Sequence, residues 1–419
     1  MNSVNSGDIS WMLTSSALVL LMTPGLALFY GGLARRKNTI NTIMSSVFIM
    51  GLASILWVLI GFSLSFSGSG SFIGDLSWFG MNTTEGANAD VYGPTTVCFA
   101  IFQMMFAILT PALITGALVG RMRFSALIVF IGLWSLFVYY PLAHMVWGGG
   151  LLMQMGAIDF AGGTVVHISS GFSALLAALW LGPRKDLDHS NPHPPHNIPL
   201  VFLGAALLWF GWFGFNAGSA GAANSLAIHA FMTTNSACAA AVMSWLCLEK
   251  IFHRKPTLVG ASTGIVVGLV AITPGAGFVP IWASLLIGAF ASPICYFCIH
   301  VVKPKLGYDD SLDAFGCHGI GGIFGALATG VFAMKGFHPD PTLDAVRWNG
   351  LFFGEGELFV QQVIAIGITL IVSAIGTWAA LGITTLCLKR IRVTEEDEDL
   401  GLDAAEHGET AYTAFEGCD

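Results

Sequence analysis

The chain has 419 residues and a formal net charge of −8, with 55% hydrophobic and only 10% charged residues. A soluble domain carries about 25% charged residues, so this composition, with a mean hydropathy of +0.74, excludes that class. The negative charge comes largely from the acidic C-terminal tail and extracytoplasmic loops and says nothing about nucleic acid, which is not expected as a partner.

Apolar runs close to the ~20 residues that cross a bilayer recur along the chain. In order they cover 11–30, 40–66, 95–120, 124–146, 162–181, 198–218, 229–248, 257–272, 279–302, 314–334 and 359–388. The fold expected is an all-α polytopic membrane protein with eleven transmembrane helices. No basic segment precedes the first run, which therefore reads as a mature helix and not a cleavable leader. The eighth run is short and Gly-rich, and the second and last are long enough to tilt.

Basic residues alternate with these runs. Arg35–Lys37, Arg121 and Arg123, Arg184 and Lys185, Lys250, Arg254 and Lys255, Lys303 and Lys305, and Lys389, Arg390 and Arg392 follow the odd-numbered helices. Only Lys335 and Arg347 fall on the other side, and none of the 17 basic residues is expected inside a span. By the positive-inside rule the N-terminus lies outside and the C-terminus in the cytoplasm of a multi-pass plasma-membrane protein.

A membrane domain over 1–388 is expected, followed by a polar cytoplasmic tail, 389–419. Within it, five-helix halves at about 8–183 and 198–334 form an inverted repeat, because an odd helix count reverses topology. Helix 359–388 stands outside the repeat. The repeat is marked by a shared spacing, since His167 lies eight residues after Asp159 and His318 eight residues after Asp310. Ionisable groups at membrane depth are costly and usually mark a substrate or proton path. Two neutral imidazoles sharing a hydrogen bond would offer a donor and an acceptor to a small polar guest.

Asp159 reads equally as a helix N-cap and as a cation attractor. If helix ran unbroken between them, Asp159 would lie about 12 Å above His167. Trp147, Phe106, Phe102, Phe215 and Trp212 stand near expected outer ends or pore-facing stretches. Their faces suit a small cation, although tryptophan at a helix end is also an ordinary interface anchor. Most of the 51 glycines serve close helix packing. Cys295 and Cys298 read as inert buried thiols, and His189, His193 and His196 as a solvated Pro-rich loop in preference to a metal site. No metal or cofactor is called for.

The stretch Asp159-FAGGTVVHISSGFSALLAALWLGPR resembles the signature of the ammonium transporters, the Amt/Mep/Rh superfamily. PGLALFYGG (24–32), HMVWGGG (144–150), GWFGFNAGSAG (211–221), FGCHG (315–319) and the tail GLDAAEHGETAY (401–412) are similar to further family motifs, in order, and favour the bacterial and archaeal Amt branch. The resemblance implies an outer ammonium site at Trp147, Ser219 and Phe106; Phe102 and Trp212, from the aromatic reading above, are counted with it as substrate-binding candidates. It implies a gate of Phe106 over Phe215, paired pore histidines His167 and His318, and Asp159 as the carboxylate near the mouth. It also implies a homotrimer with one pore per protomer. The tail, with Gly401, Asp403, His407 and Tyr412, would be regulatory and meet a cytoplasmic P-II signalling protein.

The reading is a non-enzymatic ammonium transporter or channel that also fits methylammonium. It would recruit NH4+, deprotonate it and pass NH3, with or without the proton, through the histidine-lined pore. Two alternatives stand beside it, an ammonium sensor acting through a cytoplasmic partner and a transporter of another small solute.

Overall fold

The computed structural model describes residues 5–81, 94–185, 187–188, 193–336 and 346–412; His189, Phe415 and Cys418 lie outside them. Ten helices are long and apolar enough to cross a membrane: α1 (Ser6–Leu33), α2 (Arg36–Phe66), α3 (Thr96–Ala117), α4 (Phe124–Met155), α5 (Gly163–Leu181), α6 (Ile198–Gly218), α7 (Ser225–Phe252), α9 (Ile281–Leu306), α10 (Phe315–Phe332) and α11 (Glu357–Leu388). Between α7 and α9 lies α8 (Leu258–Ile272), with 15 residues. At 1.5 Å per residue it covers about 22 Å, less than a bilayer core. Its residues from Gly264 onward are all buried, so neighbouring helices, and not lipid, surround it.

Several helices outrun the apolar runs that announce them. Arg36, Lys37, Lys250, Lys303 and Lys305 therefore stand in terminal helical turns and not in loops. The reason is geometric: a helix continues while its backbone bonds are made, whereas the apolar run stops where lipid stops, and long basic side chains reach out to water.

Two helix pairs meet closely, α1 with α6 and α5 with α10. Helices α1 and α6 pack through glycines; a Cβ on Gly32 would lie 2.7 Å from the Val201 nitrogen and 2.8 Å from the Asn197 oxygen. Helices α5 and α10 touch at Gly171 against Gly319, where any Cβ would strike backbone. In lipid such close approach replaces the hydrophobic drive that packs helices in water. It also brings the first turns of α5 and α10 together at the middle of the bundle.

Beyond α11 the tail is built and not frayed. Arg123 N–H donates to the Ile391 carbonyl and Val393 N–H to the Arg121 carbonyl, 2.9 and 3.0 Å. Thr394 then caps the short helix α12 (Glu395–Leu400) through a capping box with Asp397. The basic residues after α11, which lie on the side where positive charge meets the inner membrane surface, turn inward at Arg392, which donates to the Leu181 carbonyl (2.9 Å) and to Glu398 (2.9 Å). A membrane surface is diffuse; a helix C-terminus and a carboxylate give this guanidinium defined acceptors.

Candidate functional site

The segment Asp159–Gly162 is not helical, and α5 begins only at Gly163. Gly162 makes the turn with φ +123°, a value open to glycine. Asp159 Oδ1 accepts from the Gly162 and Gly163 N–H groups (2.8 and 2.6 Å), and Oδ2 from the Thr164 N–H (2.7 Å) and hydroxyl. The carboxylate is thus a saturated cap, 8% exposed. Because the residues between are not all helical, the 12 Å helical rise expected from Asp159 to His167 does not apply; His167 sits in the first turn of α5.

The second half repeats the device. Asp310 Oδ1 accepts from the Ala314 N–H (3.0 Å) and Oδ2 from the Phe315 N–H (2.7 Å). His318 lies in the first turn of α10, and both histidine turns are π-helical. Such widened turns re-aim a side chain and recur at functional sites. The Asp-x7-His echo is therefore one local structure built twice, and it aims two imidazoles at each other. Their Nδ1 atoms lie 3.3 Å apart and the rings are nearly parallel at 5.3 Å. Both are buried, and His167 Nε2 has no hydrogen-bond partner among the described residues.

A column of rings joins this pair to one end of the bundle. Phe215 stacks on His167 at 6.0 Å. Phe106 covers Phe215 at 4.4 Å, and Phe106 meets the edge of Trp147 at 5.9 Å. Above Phe106 opens a vestibule of about 630 Å³ lined by Phe102, Gln103, Phe106, Trp147, Asp159 and Ser219 among others. Trp147 spends its indole N–H on the Asp159 carbonyl (2.9 Å), leaving its ring face as its contribution. Ser219 donates to the Phe215 carbonyl (2.8 Å), so its hydroxyl lone pairs remain to accept. Trp212, grouped with the outer aromatics from sequence, does not line this vestibule. It is buried beside His167 at 5.4 Å, its N–H fixed on Thr273 Oγ1 (2.9 Å).

At the opposite end a cavity of about 330 Å³ is lined by Arg35, Arg184, His193, His300, Lys303 and Asp313 among others. Beside it lies a buried ion-pair cluster. Asp309 takes Arg121 at 3.0 Å and Arg184 at 2.8 Å, and neither Arg121 nor Asp309 has any side-chain exposure. Burial pushes the Asp309 carboxyl up, but the two guanidinium groups outweigh it and hold it below the usual carboxylate range. Burial likewise pushes Arg121 down to about 10, against the pull of Asp309. Asp310, fully enclosed, is pushed up to about 6 by burial, with Lys303 opposing.

The tail clasps this face. Asp403 accepts from the Asn41 N–H (2.8 Å), and His407 Nε2 lies 3.0 Å from the Asn41 amide nitrogen. Tyr412 reaches His196 (3.1 Å) and Asn197 (3.2 Å). Gly401, at φ +100°, lets the chain pass against Lys37, where a Cβ would lie 2.6 Å from the Lys37 side chain. His196, weighed above as a loop residue, is thus a docking point for the tail.

Sequence reasoning missed Gln103 and Gln362. Gln103 is a lone amide in the apolar run of α3 between Phe102 and Phe106, a signal that was present. Gln362 accepts from the Ile158 N–H (3.0 Å) and donates to its carbonyl (2.9 Å), pinning from α11 the strand of chain that delivers Asp159. Asp309 was missed as well, although the adjacent aspartates Asp309 and Asp310 mark it.

A multi-pass helical bundle with an aromatic vestibule leading to paired buried histidines defines a membrane transport protein. Residues 10–412 match the family model described as Ammonium Transporter Family. The chain is 48% identical over 408 residues to a Bacillus subtilis protein named "Ammonium transporter", covering 97% of this chain and 98% of that one. It superposes on the crystal structure of Saccharomyces cerevisiae Mep2 with a TM-score of 0.86 at 35% identity, covering 94% and 91% of the two chains. A structure described as "Sensor Amt Protein" matches with a TM-score of 0.85 at 30% identity, covering 96% and 98%. The chain belongs to the ammonium transporter family.

Proposed function

We propose that this chain takes ammonium from its outer vestibule and carries it inward as ammonia along the ring column and past His167 and His318. The observation that carries the reading is the unbroken sequence Trp147, Phe106, Phe215, His167, His318, each ring within 6.0 Å of the next. In the vestibule the cation exchanges water for ring faces, each contributing roughly 0.5–2 kcal/mol, and for the Ser219 hydroxyl. The capping carboxylate of Asp159, which forms no ion pair among the described residues, adds a negative potential at the mouth. The buried contact of Phe106 with Phe215 admits no hydrated ion, so the proton leaves before the gate and NH3 crosses. The imidazole pair then offers the neutral guest a donor and an acceptor in an otherwise apolar lumen, and a route by which the proton could follow.

The inverted repeat, with halves at about 8–183 and 198–334, is supported by the duplicated Asp-x7-His structure and by the meeting of α1 with α6 and α5 with α10. An outside N-terminus and a cytoplasmic tail are supported by the basic residues, 15 of the 17 following odd-numbered helices, on the face the tail clasps. The homotrimer, the P-II partner and methylammonium as a second substrate rest on family membership. The sensor reading has one observation in its favour, the likeness to a protein described as a sensor over 98% of that chain.

Reconstituted protein on a solid-supported membrane tests both readings. Ammonium should produce uptake in the wild type, and His167→Ala and His318→Ala should each change the rate more than tenfold or alter the charge carried per ammonium. Unaltered flux and charge in both variants would remove the histidines from the path. Tight ammonium binding without flux in the wild type would favour sensing.

A further inference from the structure

Helix α11 packs against α5, α10 and α4, and so covers one side of the two helices that carry the histidines. On another side α5 and α10 meet α9, and that junction is left open as a groove of about 550 Å³. Leu175 and Leu179 of α5, Phe297 and Val302 of α9, and Phe315 and Ile320 of α10 line it among others, and its walls are apolar but for Cys298 and the Tyr308 hydroxyl. Along α9 the groove runs from Ile294 to Leu306. That is no more than about 18 Å at the helical rise, close to the ~15 Å of one leaflet in a hydrocarbon core of ~30 Å. The Leu306 end lies where α9 leaves the bilayer, on the face the tail clasps. There Lys303 is spent on the Asp310 carbonyl and the Asp313 carboxylate, each at 2.6 Å. Lys305, beside Leu306, is exposed, and its ammonium makes no hydrogen bond or ion pair among the described residues.

We infer that this groove binds an acyl chain of an anionic phospholipid from the leaflet on the tail face, with the headgroup phosphate on Lys305. Lipid tails are as apolar as the groove, so no hydrophobic drive holds a chain there; close packing does, and the headgroup charge decides which lipid is kept. Basic residues between helices at a cytoplasmic surface recognise anionic headgroups in this way. The bound chain would touch the pore's own support. Phe315 opens the widened turn that carries His318, and Ile320 follows it directly. The Phe315 ring covers Gly319, where a Cβ would lie 2.5 Å from it, and Tyr308 meets that ring edge-on at 6.2 Å. A chain packed on these side chains backs the His318 turn on a side that α11 leaves bare. The binding requires neither ammonium nor flux through the pore, so its test stands apart from the transport reading.

The test uses the full-length protein in detergent, titrated with phosphatidylglycerol or with phosphatidylcholine of the same chains, and read by native mass spectrometry. Wild type should hold one phosphatidylglycerol per protomer in preference to phosphatidylcholine. Lys305→Ala should weaken phosphatidylglycerol binding about fivefold, the worth of one lysine at an anionic surface, and leave phosphatidylcholine unchanged. Leu179→Trp, which fills the groove, should weaken both lipids, whereas Ile375→Trp, at an exposed position on α11, should weaken neither. Hydrogen exchange over 315–320 should slow when phosphatidylglycerol is added to wild type and not when it is added to Lys305→Ala. Phosphatidylglycerol binding equal to wild type in either Lys305→Ala or Leu179→Trp overturns the assignment, because the headgroup or the chain then lies elsewhere. A second copy of the protein in the groove would show as a changed oligomeric mass in Leu179→Trp with lipid binding untouched, and overturns it too. Should Leu179→Trp fail to insert, the lysine variants decide: a loss in Lys305→Ala that deepens in Lys305→Glu supports the site, and binding equal to wild type in both removes it.

Discussion

Asp159 and Asp310 do the same local work in opposite surroundings. Each caps the helix whose first turn presents a pore histidine. Asp159 stands at an aromatic vestibule with no ion-pair partner among the described residues, and its two oxygens are filled by four neutral donors. Asp310 lies in a lattice of charge beside Asp309, Asp313 and Lys303, whose Nζ donates to both the Asp310 carbonyl and the Asp313 carboxylate at 2.6 Å. A carboxylate with no cation beside it leaves a negative potential at the mouth; one set among Lys303, Arg121 and Arg184 is offset by them. The duplicated structure therefore has two unlike ends, and under the proposed function the vestibule end is the one that favours an arriving cation.

The most damaging change to this contrast is Asp159→Asn. The amide can still accept through one oxygen, but its NH2 then faces the Thr164 N–H and hydroxyl. The loss should be roughly 2–4 kcal/mol, the scale of charged hydrogen bonds left unmade, with ammonium flux down more than tenfold. Asp310→Asn should be far milder, because it removes a carboxylate whose ionisation burial opposes. The sign follows from its carboxyl being pushed up to about 6 from an unfolded value of about 3.9. Its stabilising contribution is full below pH 4 and is lost as pH rises through 6. Thermal stability of the detergent-solubilised proteins should show the wild type's advantage over Asp310→Asn shrinking between about pH 4 and 6. Equal flux loss in the two Asn variants would erase the distinction between the ends.

The largest effect on stability, as distinct from flux, is expected at Arg121. Arg121→Met leaves Asp309 buried with only Arg184, and breaking one side of a buried pair typically costs about 3–5 kcal/mol. Asp309 titrates with the opposite sign to Asp310. Its carboxyl is held below the usual range, so its contribution is present above about pH 4 and lost as pH falls through its folded value. Wild-type stability should therefore drop below about pH 4, and Arg121→Met should lower the whole curve while softening that drop. An unchanged melting temperature would mean that the cluster is incidental to the fold.

Much of this was legible in the chain itself, for physical reasons that also mark where legibility stopped. Hydrocarbon thickness writes itself into the length of apolar runs, and the spacing of aspartate to histidine survives because a cap and the turn it caps are local. The apolar run 162–181 meets the start of α5 at Gly163 within one residue, whereas the non-helical course of the chain from Asp159 to Gly162 was not legible, since an aspartate eight residues before a histidine reads equally well as the first residue of an unbroken helix. Nor was the depth of Trp212. A membrane helix is apolar on every face, so composition does not say which side meets a neighbour and which a cavity. Gln103, which lines the vestibule, shows the converse: a lone amide among apolar residues stands out in the sequence.

The smallest effect separates the inner end from the tail that clasps it. Glu398 ties three segments: its carboxylate accepts from the Lys185 N–H (2.7 Å) and from Arg392 (2.9 Å), and its backbone carbonyl from Lys37 (3.0 Å). Arg392 is 31% exposed on its side chain, so solvent screens the pair. Glu398→Gln keeps one acceptor and loses the charge, a cost of about 1 kcal/mol, or some fivefold in the population of the undocked tail. Hydrogen exchange across 395–407 should quicken by that factor while ammonium flux changes less than twofold. Truncation after Arg392 removes Asp403, His407 and Tyr412 together and should lower flux without preventing insertion, because the clasp holds the start of α2 at Asn41 and the loop at His196 beside the inner face. A P-II protein from the same organism should be retained by the intact form in a pull-down with ATP, ADP or 2-oxoglutarate. If truncation leaves flux untouched and no nucleotide condition retains a P-II protein, the clasp serves only to order the inner face, and the two ends of the pore differ in charge alone.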